Sequence, residues 1–398
     1  MQTALAHPLL TICIYIIQLA LQLGVQVNST RFGLAASSKG SFLMRVAVVA
    51  PPFLPVPPRK YGGTELFIAQ LAEGLKNSGV DVVIYTNGES TVGVERRWLY
   101  KDQQWPISGE VYDNLKDFNH SSWAIRDAAD DCDVIHLHNV PALMLTRYVK
   151  SKFVYTLHHI HDDGLSEIYN FFPDAEYVTI SDFQRRRESM PRVRTIHHGI
   201  DLRLYQLQTR KRDYLSFLGR IAPIKGTHIA IEAAKKCGIP LKIAGEVQPI
   251  FRDYFDSLIK PQVDGKFIEY VGEVDLPAKN ELLGNSLAML FPIQWDEPFG
   301  LVMIESMACG TPVLALPGGA VEEVVRDGIS GFVCCSAEEI AQRARDLPGT
   351  FQPATVRQYC QQYFSVDRMV ADYLSLYEHV IGEGSGLARA TSPISMVA

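Results

Sequence analysis

The sequence has few cysteines and no surplus of basic side chains, and these two shortages exclude several classes of protein. Its 398 residues include 7 scattered cysteines without a C-x-x-C pair, so a disulfide framework and a structural zinc site are not expected. This cysteine usage fits a reducing compartment, and we expect a cytoplasmic protein. The formal net charge is −6, from 38 basic and 44 acidic side chains, which argues against a nucleic-acid partner.

Formal charge is also absent from a long stretch near the N-terminus, residues 4–27. Its length is that of a membrane span, but it lacks the basic start of a secretory signal. Three interpretations stay open: translation that starts at Met44, a membrane anchor, and a signal peptide. We therefore treat residues 1–43 as an N-terminal extension. Residues 384–398 are rich in small side chains and are expected to form a disordered tail.

Between these ends, short apolar runs alternate with helical patterns, and the whole series occurs twice. Such alternation predicts an α/β fold with two doubly wound parallel sheets. We place one Rossmann-like domain at residues 44–205 and a second at 206–365, on either side of a polar stretch. The carboxyl ends of both sets of strands are expected to face a shared cleft, where ligands of such sheets bind.

The strongest local signal is the segment EPFGLVMIE at 297–305, whose proline and glycine predict a turn before a helix. Backbone N–H groups at the start of that helix would face an anion. They belong to Phe299, Gly300 and Leu301. Glu297 would accept hydrogen bonds from sugar hydroxyls, and Glu305 would reach a ribose. The alternative is a capped core helix with two solvent-facing acids.

Two cations occupy a predicted loop earlier in the second half, in the segment LGRIAPIKGT at 218–227. Arg220 and Lys225 follow a strand and precede a helix, where together they would neutralise a diphosphate. The alternative is a pair of solvated loop cations. A cationic pair and a helix N-terminus in the same half make an anion site the more economical interpretation.

A glycine pair and a histidine-rich run follow strands of the first half. Gly62 and Gly63 would allow close approach of a ligand, and Thr64 is the expected N-cap of the next helix. No G-K-[ST] follows and the loop is not G-x-G-x-x-G, so it is not a Walker loop, and the dehydrogenase interpretation is weakened. His158 opens the run HHIHD at 158–162, which also admits a metal site, although adjacent ligands converge poorly.

Two further patterns have ordinary explanations that we favour. Asp131-Cys-Asp133 matches the loose D-x-D pattern of metal-dependent sugar transferases, but it precedes a strand instead of following one, so we interpret it as accidental. Residues 182–194 hold five arginines, which predict a solvated face. The alternative is a docking surface for an anionic acceptor or a membrane.

Taken in order, the segments YGGTE, TLH, HGID, LGRIAPIKG and EPFGLVMIESMACGTPV resemble glycosyltransferase family 4, the retaining transferases with a GT-B fold. The likeness covers residues 44–381. The run FSVDRMVADYL at 364–374 resembles the last helix of that family, which crosses back to the first domain, and we place this helix at 366–383.

The resemblance implies a nucleotide-sugar donor of the UDP-glucose or GDP-mannose type and a saccharide, lipid-linked or small-molecule acceptor. It implies that Arg220 and Lys225 bind the diphosphate, Glu305 the ribose and Glu297 the hexose. The implied catalytic set is His158, Glu297, Arg220 and Lys225. His158 would lie near the C6 hydroxyl of the sugar. Other donor contacts are implied for Gly63, Gly245, Val274, Phe299, Gly300 and Leu301.

The family typically needs no divalent metal, and no cofactor is expected. Peripheral contact with a membrane is an expected partner interaction. One departure is His197-His198, where many members carry Asn before the glycine, and it leaves the acceptor contacts open. Two alternatives remain: a non-catalytic module that binds nucleotide sugars, and another GT-B reaction such as an epimerase or a phosphorylase.

Overall fold

The computed structural model describes residues 44–59, 62–105, 107, 111–211 and 213–386. The N-terminal extension, with its uncharged stretch 4–27, and residues 387–398 of the tail lie outside this described part, as does Tyr61 of the first glycine motif. Within the described ranges, none of the helices combines the length and the apolar character needed to cross a bilayer.

The first sheet has seven parallel strands, with the order β3-β2-β1-β4-β5-β6-β7. Strand β1, third in this order, carries valine and alanine on both faces, which suits burial between two helical layers. The strands are β1 (Arg45–Val49), β2 (Asp81–Thr86), β3 (Glu95–Trp98), β4 (Val134–Leu137), β5 (Phe153–Leu157), β6 (Glu176–Thr179) and β7 (Val193–Thr195).

The helices that belong to this first sheet follow its strands along the chain. They are α1 (Gly63–Asn77), α2 (Val111–Ala128), α3 (Val140–Leu143), α4 (Asp163–Asn170) and α5 (Asp182–Arg185), with 3-10 turns at Met144–Tyr148 and Leu202–Leu204. The predicted N-cap Thr64 is wrong, because α1 already begins at Gly63 and its N-cap is Gly62. We call this sheet and its helices the first lobe.

The second sheet has six parallel strands in the order β10-β9-β8-β11-β12-β13. They are β8 (Leu215–Leu218), β9 (Leu241–Ala244), β10 (Ile268–Gly272), β11 (Met289–Phe291), β12 (Val313–Ala315) and β13 (Gly331–Val333). Together with the first sheet, this arrangement confirms the prediction of two doubly wound parallel sheets.

Helices cover this second sheet as well, and we call the assembly the second lobe. They are α6 (Thr227–Cys237), α7 (Arg252–Tyr254), α8 (Leu276–Gly284), α9 (Leu301–Ala308), α10 (Val321–Val324), α11 (Ala337–Asp346) and α12 (Pro353–Phe364). Short 3-10 turns lie at Pro223–Lys225, Pro249–Phe251 and Lys260–Gln262, and a π turn at Phe255–Ile259.

The last helix, α13 (Val366–Gly386), leaves the second lobe and packs on α1 of the first. A Cβ at Gly74 of α1 would lie 2.4 Å from Val370 Cγ2, so glycine lets the two helices approach closely. This packing agrees with the expected return to the first domain. The helix continues to Gly386, so the tail predicted from residue 384 is wrong for its first three residues.

The order of the strands in each sheet indicates where the candidate site lies. In each sheet, the strand order reverses beside the first strand to appear in the chain, β1 or β8, and a crevice opens there at the carboxyl ends of the strands. The predicted site residues follow strands β1, β5, β8, β9, β10 and β11 in the chain.

Candidate functional site

Lys225 and Glu297 lie side by side, although 72 residues separate them. Lys225 ends the 3-10 turn after β8, and its Nζ is 2.5 Å from Glu297 Oε2. Gly226 follows in the left-handed conformation, with a φ of 72°, and a Cβ there would lie 1.8 Å from the Pro292 carbonyl oxygen. Glycine therefore permits the turn to press against the end of β11, which is what brings the two charges together.

The Glu297 carboxylate is buried and held by several groups. Trp295 Nε1 donates to Oε2 at 2.9 Å, and the ring of Trp295 lies 4.7 Å from Lys225 Nζ. The Glu297 backbone packs on Gly319, where a Cβ would meet the Glu297 carbonyl oxygen at 2.1 Å. Ala320 N donates to that same oxygen at 2.8 Å. These contacts fix the acid at the mouth of the crevice.

Helix α9 begins directly after this acid. Gly300, with a φ of 85°, forms its N-cap, so the first N–H groups of the helix are oriented along its axis toward the turn at Phe299. The Phe299 ring is buried and packs edge-on against His198 of the first lobe, with ring centres 5.1 Å apart. The start of α9 therefore lies at the seam between the lobes.

Arg220 lies in the loop after β8, and Gly245 lies at the end of the neighbouring strand β9. A Cβ at Gly245 would be 1.8 Å from the Gly219 carbonyl oxygen, so glycine lets this loop approach β9. Arg220 Nη1 donates to Gln248 Oε1 at 3.4 Å, and its Nε is buried without a hydrogen-bond partner among the described atoms. Val274, partly buried, packs on the hydrophobic core of this lobe near the end of β10.

Glu305 lies deeper than the sequence suggests. Its carboxylate is buried, and Oε1 accepts from Tyr205 Oη at 2.7 Å and from Lys279 Nζ at 2.6 Å. The solvent-facing alternative for this acid is therefore wrong. Sequence reasoning missed both partners, since Lys279 lies within α8 and Tyr205 between the lobes, and neither belongs to a recognisable motif.

The first lobe contributes Gly63 and His158. A Cβ at Gly63 would lie 3.5 Å from Leu301 Cδ1, so the start of α1 faces the start of α9 across the crevice. His158 follows β5, and its Nε2 is 3.0 Å from His138 Nδ1. Burial lowers the pKa of His158 to about 3, so its imidazole is neutral at physiological pH.

His158 belongs to a buried histidine cluster that the sequence analysis did not identify. Its ring stacks on His198 with centres 5.7 Å apart, and His138 continues toward His136. His136 bonds Tyr377 Oη at 2.7 Å and Thr156 Oγ1 at 2.8 Å. The available signal was the pair of alternating histidines in DVIHLH, which places both on one face of β4 beside β5.

Several other candidate residues are directed elsewhere. His161 lies 3.0 Å from Glu188 Oε1 and 3.1 Å from Asp163 Oδ1, and Asp162 caps α4. Asp131 lies at the amino end of β4, 3.3 Å from Arg45, on the side of the sheet opposite the crevice. Ion pairing and capping thus account for these side chains.

One group of described residues could hold a metal ion. Ligand atoms of Asp182, His197 and Glu323 all lie within 4.8 Å of one another. Glu323 Oε2, however, already accepts from the backbone N–H of Asp182 at 2.7 Å, and Arg186 lies 3.8 Å from Oε1. A cation this close weakens the case for a metal.

Two family models match the chain, one on each lobe. The model described as Glycosyltransferase Family 4 matches residues 61–204, and that described as Glycosyl transferases group 1 matches residues 206–347. Among curated proteins, spore coat protein SA of Bacillus subtilis is 22% identical over 396 residues, which covers 84% of this chain and 99% of that protein. D-inositol 3-phosphate glycosyltransferase of Mycobacterium tuberculosis is 31% identical over 176 residues, 38% of this chain and 35% of that protein.

The alignments with solved structures of similar fold span nearly the whole of those chains. Sucrose-phosphate synthase from Thermosynechococcus elongatus aligns with a TM-score of 0.71 at 19% identity, covering 85% of this chain and 100% of that one. AviGT4, a glycosyltransferase involved in avilamycin A biosynthesis, gives 0.67 at 23% identity, with 85% and 98% covered. Anabaena HepE, solved with UDP and glucose, gives 0.68 at 16% identity, with 84% and 100% covered. These likenesses show the two-domain GT-B fold.

Proposed function

The chain belongs to the family 4 type of glycosyltransferase, and from this premise we propose that it transfers a hexose, with retention of configuration, from a nucleotide sugar. The donor we propose is of the UDP-glucose or GDP-mannose type. HepE, a structural neighbour, was solved with UDP and glucose, which favours the UDP form for the first assays. The acceptor is a saccharide, a lipid-linked saccharide or a small molecule.

One observation carries this proposal: the contact of 2.5 Å between Lys225 Nζ and Glu297 Oε2 at the carboxyl ends of β8 and β11. It brings a cation suited to the diphosphate beside an acid suited to the hexose. Both side chains are largely withdrawn from water, so their charges act in a medium of low dielectric and need little reorganisation when the donor binds. Such preorganisation favours the charge that develops on the leaving group.

The proposed reaction breaks the bond between the sugar C1 and the diphosphate oxygen. A bond from C1 to an acceptor oxygen forms on the same face, and the acceptor proton passes to the departing phosphate. Arg220, Lys225 and the N–H groups at the start of α9 stabilise the leaving diphosphate. Glu297 accepts hydrogen bonds from the hexose and remains beside Lys225. We propose that the reaction needs no divalent metal.

His158 is proposed to contact the hexose as a neutral hydrogen-bonding group. Its low pKa excludes a standing positive charge beside the sugar at physiological pH. Gly63 is proposed to approach the diphosphate from the first lobe, because its Cα faces Leu301 without a side chain of its own. Glu305 is proposed to hold the ribose through the carboxylate oxygen that Tyr205 and Lys279 leave available, since both contact Oε1.

A donor screen tests the proposal. Purified chain is incubated with UDP- and GDP-sugars, and release of the nucleoside diphosphate is measured with and without EDTA. Lys225→Ala is expected to lower turnover roughly 100-fold, as does loss of one preorganised donor in other enzymes. Lys235→Ala is the matched control, because Lys235 is exposed at the end of α6 in the same lobe. Equal rates for the two variants would contradict the proposed role of Lys225.

The two alternatives give different outcomes in this assay. For a binding module, calorimetry would show that a donor binds, while the assay would show neither transfer nor hydrolysis. An epimerase would change the sugar without releasing diphosphate, and a phosphorylase would require free phosphate or pyridoxal phosphate. An absorbance scan of the purified chain detects the latter cofactor directly.

We further propose that the first lobe contacts an anionic membrane surface. On α2, Arg126 is exposed and Lys116 is partly exposed, with its Nζ 3.9 Å from Asp113 Oδ1. Asp113 and Asp117 are buried, and Asp127 is paired with Arg97. An apolar face with flanking cations and aromatic side chains suits such a surface. The exposed apolar side chains of α2, of the preceding loop and of the end of β3 are Trp98, Leu99, Trp105, Ile107, Val111, Tyr112, Leu115 and Phe118.

Flotation with phosphatidylglycerol vesicles tests this contact. Leu115→Ser with Phe118→Ser is expected to lower the fraction of the chain that floats with the vesicles, whereas Leu258→Ser, at a similarly exposed position on the second lobe, is the control. The uncharged stretch 4–27 could itself bind lipid, so contact is also read from quenching of Trp98 and Trp105 fluorescence by brominated lipid. Unchanged flotation without quenching would contradict the proposal.

A further inference from the structure

The arginine-rich segment 182–194 divides into two groups with different partners. Arg192 and Arg194 remain in the first lobe and contact Glu176, at 3.2 and 3.4 Å. Arg187 instead crosses to the second lobe and pairs with Asp296 at 2.8 Å. The start of the segment thus belongs to the seam between the lobes, which neither a solvated face nor an acceptor surface explains.

Glu323 of the second lobe meets the same segment from the other side. Its carboxylate accepts from the backbone N–H groups of Asp182, at 2.7 Å, and of Phe183. His197 Nε2 lies 3.1 Å from Oε2 of the same acid. A carboxylate bonded to backbone N–H groups is a charge-assisted contact with a defined direction, so it fixes the two lobes relative to one another more firmly than an exposed ion pair does.

Asp296 and Glu323, the two second-lobe partners of this segment, are both connected to the backbone of Glu297. Asp296 directly precedes Glu297 in the chain. Glu323 lies in α10, which follows the Gly319–Ala320 turn that packs on the Glu297 backbone and bonds its carbonyl oxygen at 2.8 Å. Residues 182–187 therefore restrain the Glu297 backbone indirectly, through Asp296 on one side and through Glu323 and the Gly319–Ala320 turn on the other. Among the described residues, this segment makes no direct contact with the Glu297 carboxylate.

We propose that residues 182–187, with Asp296 and Glu323, form an interlobe clasp that couples closure of the lobes to the position of Glu297. Arg187 and Glu323 are positioning residues, which act on the reaction through Glu297. The role that this inference gives to Glu297 rests on the proposed function. When the lobes separate, the clasp opens, and the two segments that support the Glu297 backbone, at Asp296 and at α10, each lose their contact with the first lobe. Closure thereby orients the acid and excludes water in a single step.

Charge reversal tests the clasp. Arg187→Asp and Asp296→Arg are each expected to lower kcat about tenfold and to raise the share of donor lost to hydrolysis, because a misplaced Glu297 and an open cleft favour attack by water. The double variant recreates an ion pair of opposite direction and is expected to recover most of the transfer. Arg192→Gln is the matched control, since its partner lies within the first lobe. Both reversed positions are partly exposed, so folding is expected to be preserved.

Glu323→Gln tests the second contact and retains the shape of the side chain. It is expected to lower kcat with little change in donor KM, since donor contacts in the second lobe remain intact. Small-angle scattering of the unliganded protein reads lobe separation without any assay, and a larger radius of gyration is expected for Glu323→Gln and Arg187→Asp. A matching radius and an unchanged transfer-to-hydrolysis ratio in both variants would overturn the clasp.

Scattering also separates this inference from the proposed function. A wild-type chain that is inactive on every donor, with variants that open, would refute the proposed function and leave the clasp supported. An active wild type whose variants neither open nor hydrolyse more donor would support the proposed function and refute the clasp. Stabilisation by Zn²⁺ or Mn²⁺ that disappears in Glu323→Gln would assign the cluster of Asp182, His197 and Glu323 to a metal and overturn the clasp.

Discussion

At the scale of single residues, two glycines of the second lobe have nearly the same backbone and different surroundings. Gly226 has a φ of 72° and Gly238 a φ of 73°. A Cβ at Gly226 would meet the Pro292 carbonyl oxygen at 1.8 Å, whereas a Cβ at Gly238 would meet nothing within 4 Å. Sequence alone treats both as helix-terminal glycines, so only the folded surroundings separate them.

This difference predicts unequal effects of alanine. Gly238→Ala is expected to lower the free energy of unfolding by about 1 kcal/mol, the cost of the left-handed conformation. Gly226→Ala adds a steric clash, and we expect a loss of about 2 to 5 kcal/mol together with weaker transfer, because Lys225 is its neighbour. Urea unfolding and the diphosphate-release assay measure both effects. Equal losses in the two variants would contradict the close packing at Gly226.

The residue scale also shows how far the site could be predicted. The sequence identifies Lys225 because it follows a predicted strand and Glu297 because it precedes a predicted helix start, and the structure brings their charged groups to 2.5 Å. Lys279 was missed because it lies in the middle of α8, where a lysine usually indicates only a solvated face. The N-cap at Thr64 was predicted wrongly, since two consecutive glycines leave the exact start of a helix open.

At the scale of elements, α13 joins the second lobe to the first through an aromatic face. Tyr373 and Tyr377, one helical turn apart, are fully buried. Tyr373 Oη lies 2.9 Å from Thr156 Oγ1, and Tyr377 Oη lies 2.7 Å from His136 Nδ1. These bonds connect the end of the chain to β4 and β5, the strands that carry the histidine cluster.

Removing one hydroxyl should therefore destabilise this connection. Tyr377→Phe leaves the buried His136 Nδ1 without its partner and is expected to lower the free energy of unfolding by about 1 to 3 kcal/mol. Tyr363→Phe, at a half-exposed position on α12, is the matched control and is expected to change it by less than about 0.5 kcal/mol. Chemical unfolding measures both. An equal loss in the free energy of unfolding for Tyr363→Phe and Tyr377→Phe would refute a specific role for the bond to His136.

At the scale of the whole molecule, buried histidines make stability depend on pH. Burial lowers the pKa of His120 to about 4 and that of His158 to about 3. It also lowers the pKa values of His136, His138 and His198 well below their usual range. The unfolded chain binds protons near pH 6.5, where the folded chain does not. Protonation therefore favours the unfolded state as the pH falls.

We accordingly expect stability to decrease between pH 7 and pH 5. Each such histidine contributes a loss of about 1.4 kcal/mol per pH unit below its unfolded pKa. His161 acts in the opposite direction, since its hydrogen bond to Glu188 raises its pKa, and that contribution is lost as the pH rises through the folded value. Urea midpoints at pH 8, 7, 6 and 5 measure the balance. A constant midpoint from pH 7 to pH 5 would contradict the neutral cluster.

By itself, the sequence determined the two alternating halves, the parallel sheets and the charged or glycine residues that follow their strands, because periodicity and turn chemistry are local properties. Only the tertiary structure decided which of these residues meet: Lys225 with Glu297, His158 with His138, and Arg187 with Asp296. Strand order and the packing of one lobe on the other bring together groups far apart in the chain, and no local pattern specifies either.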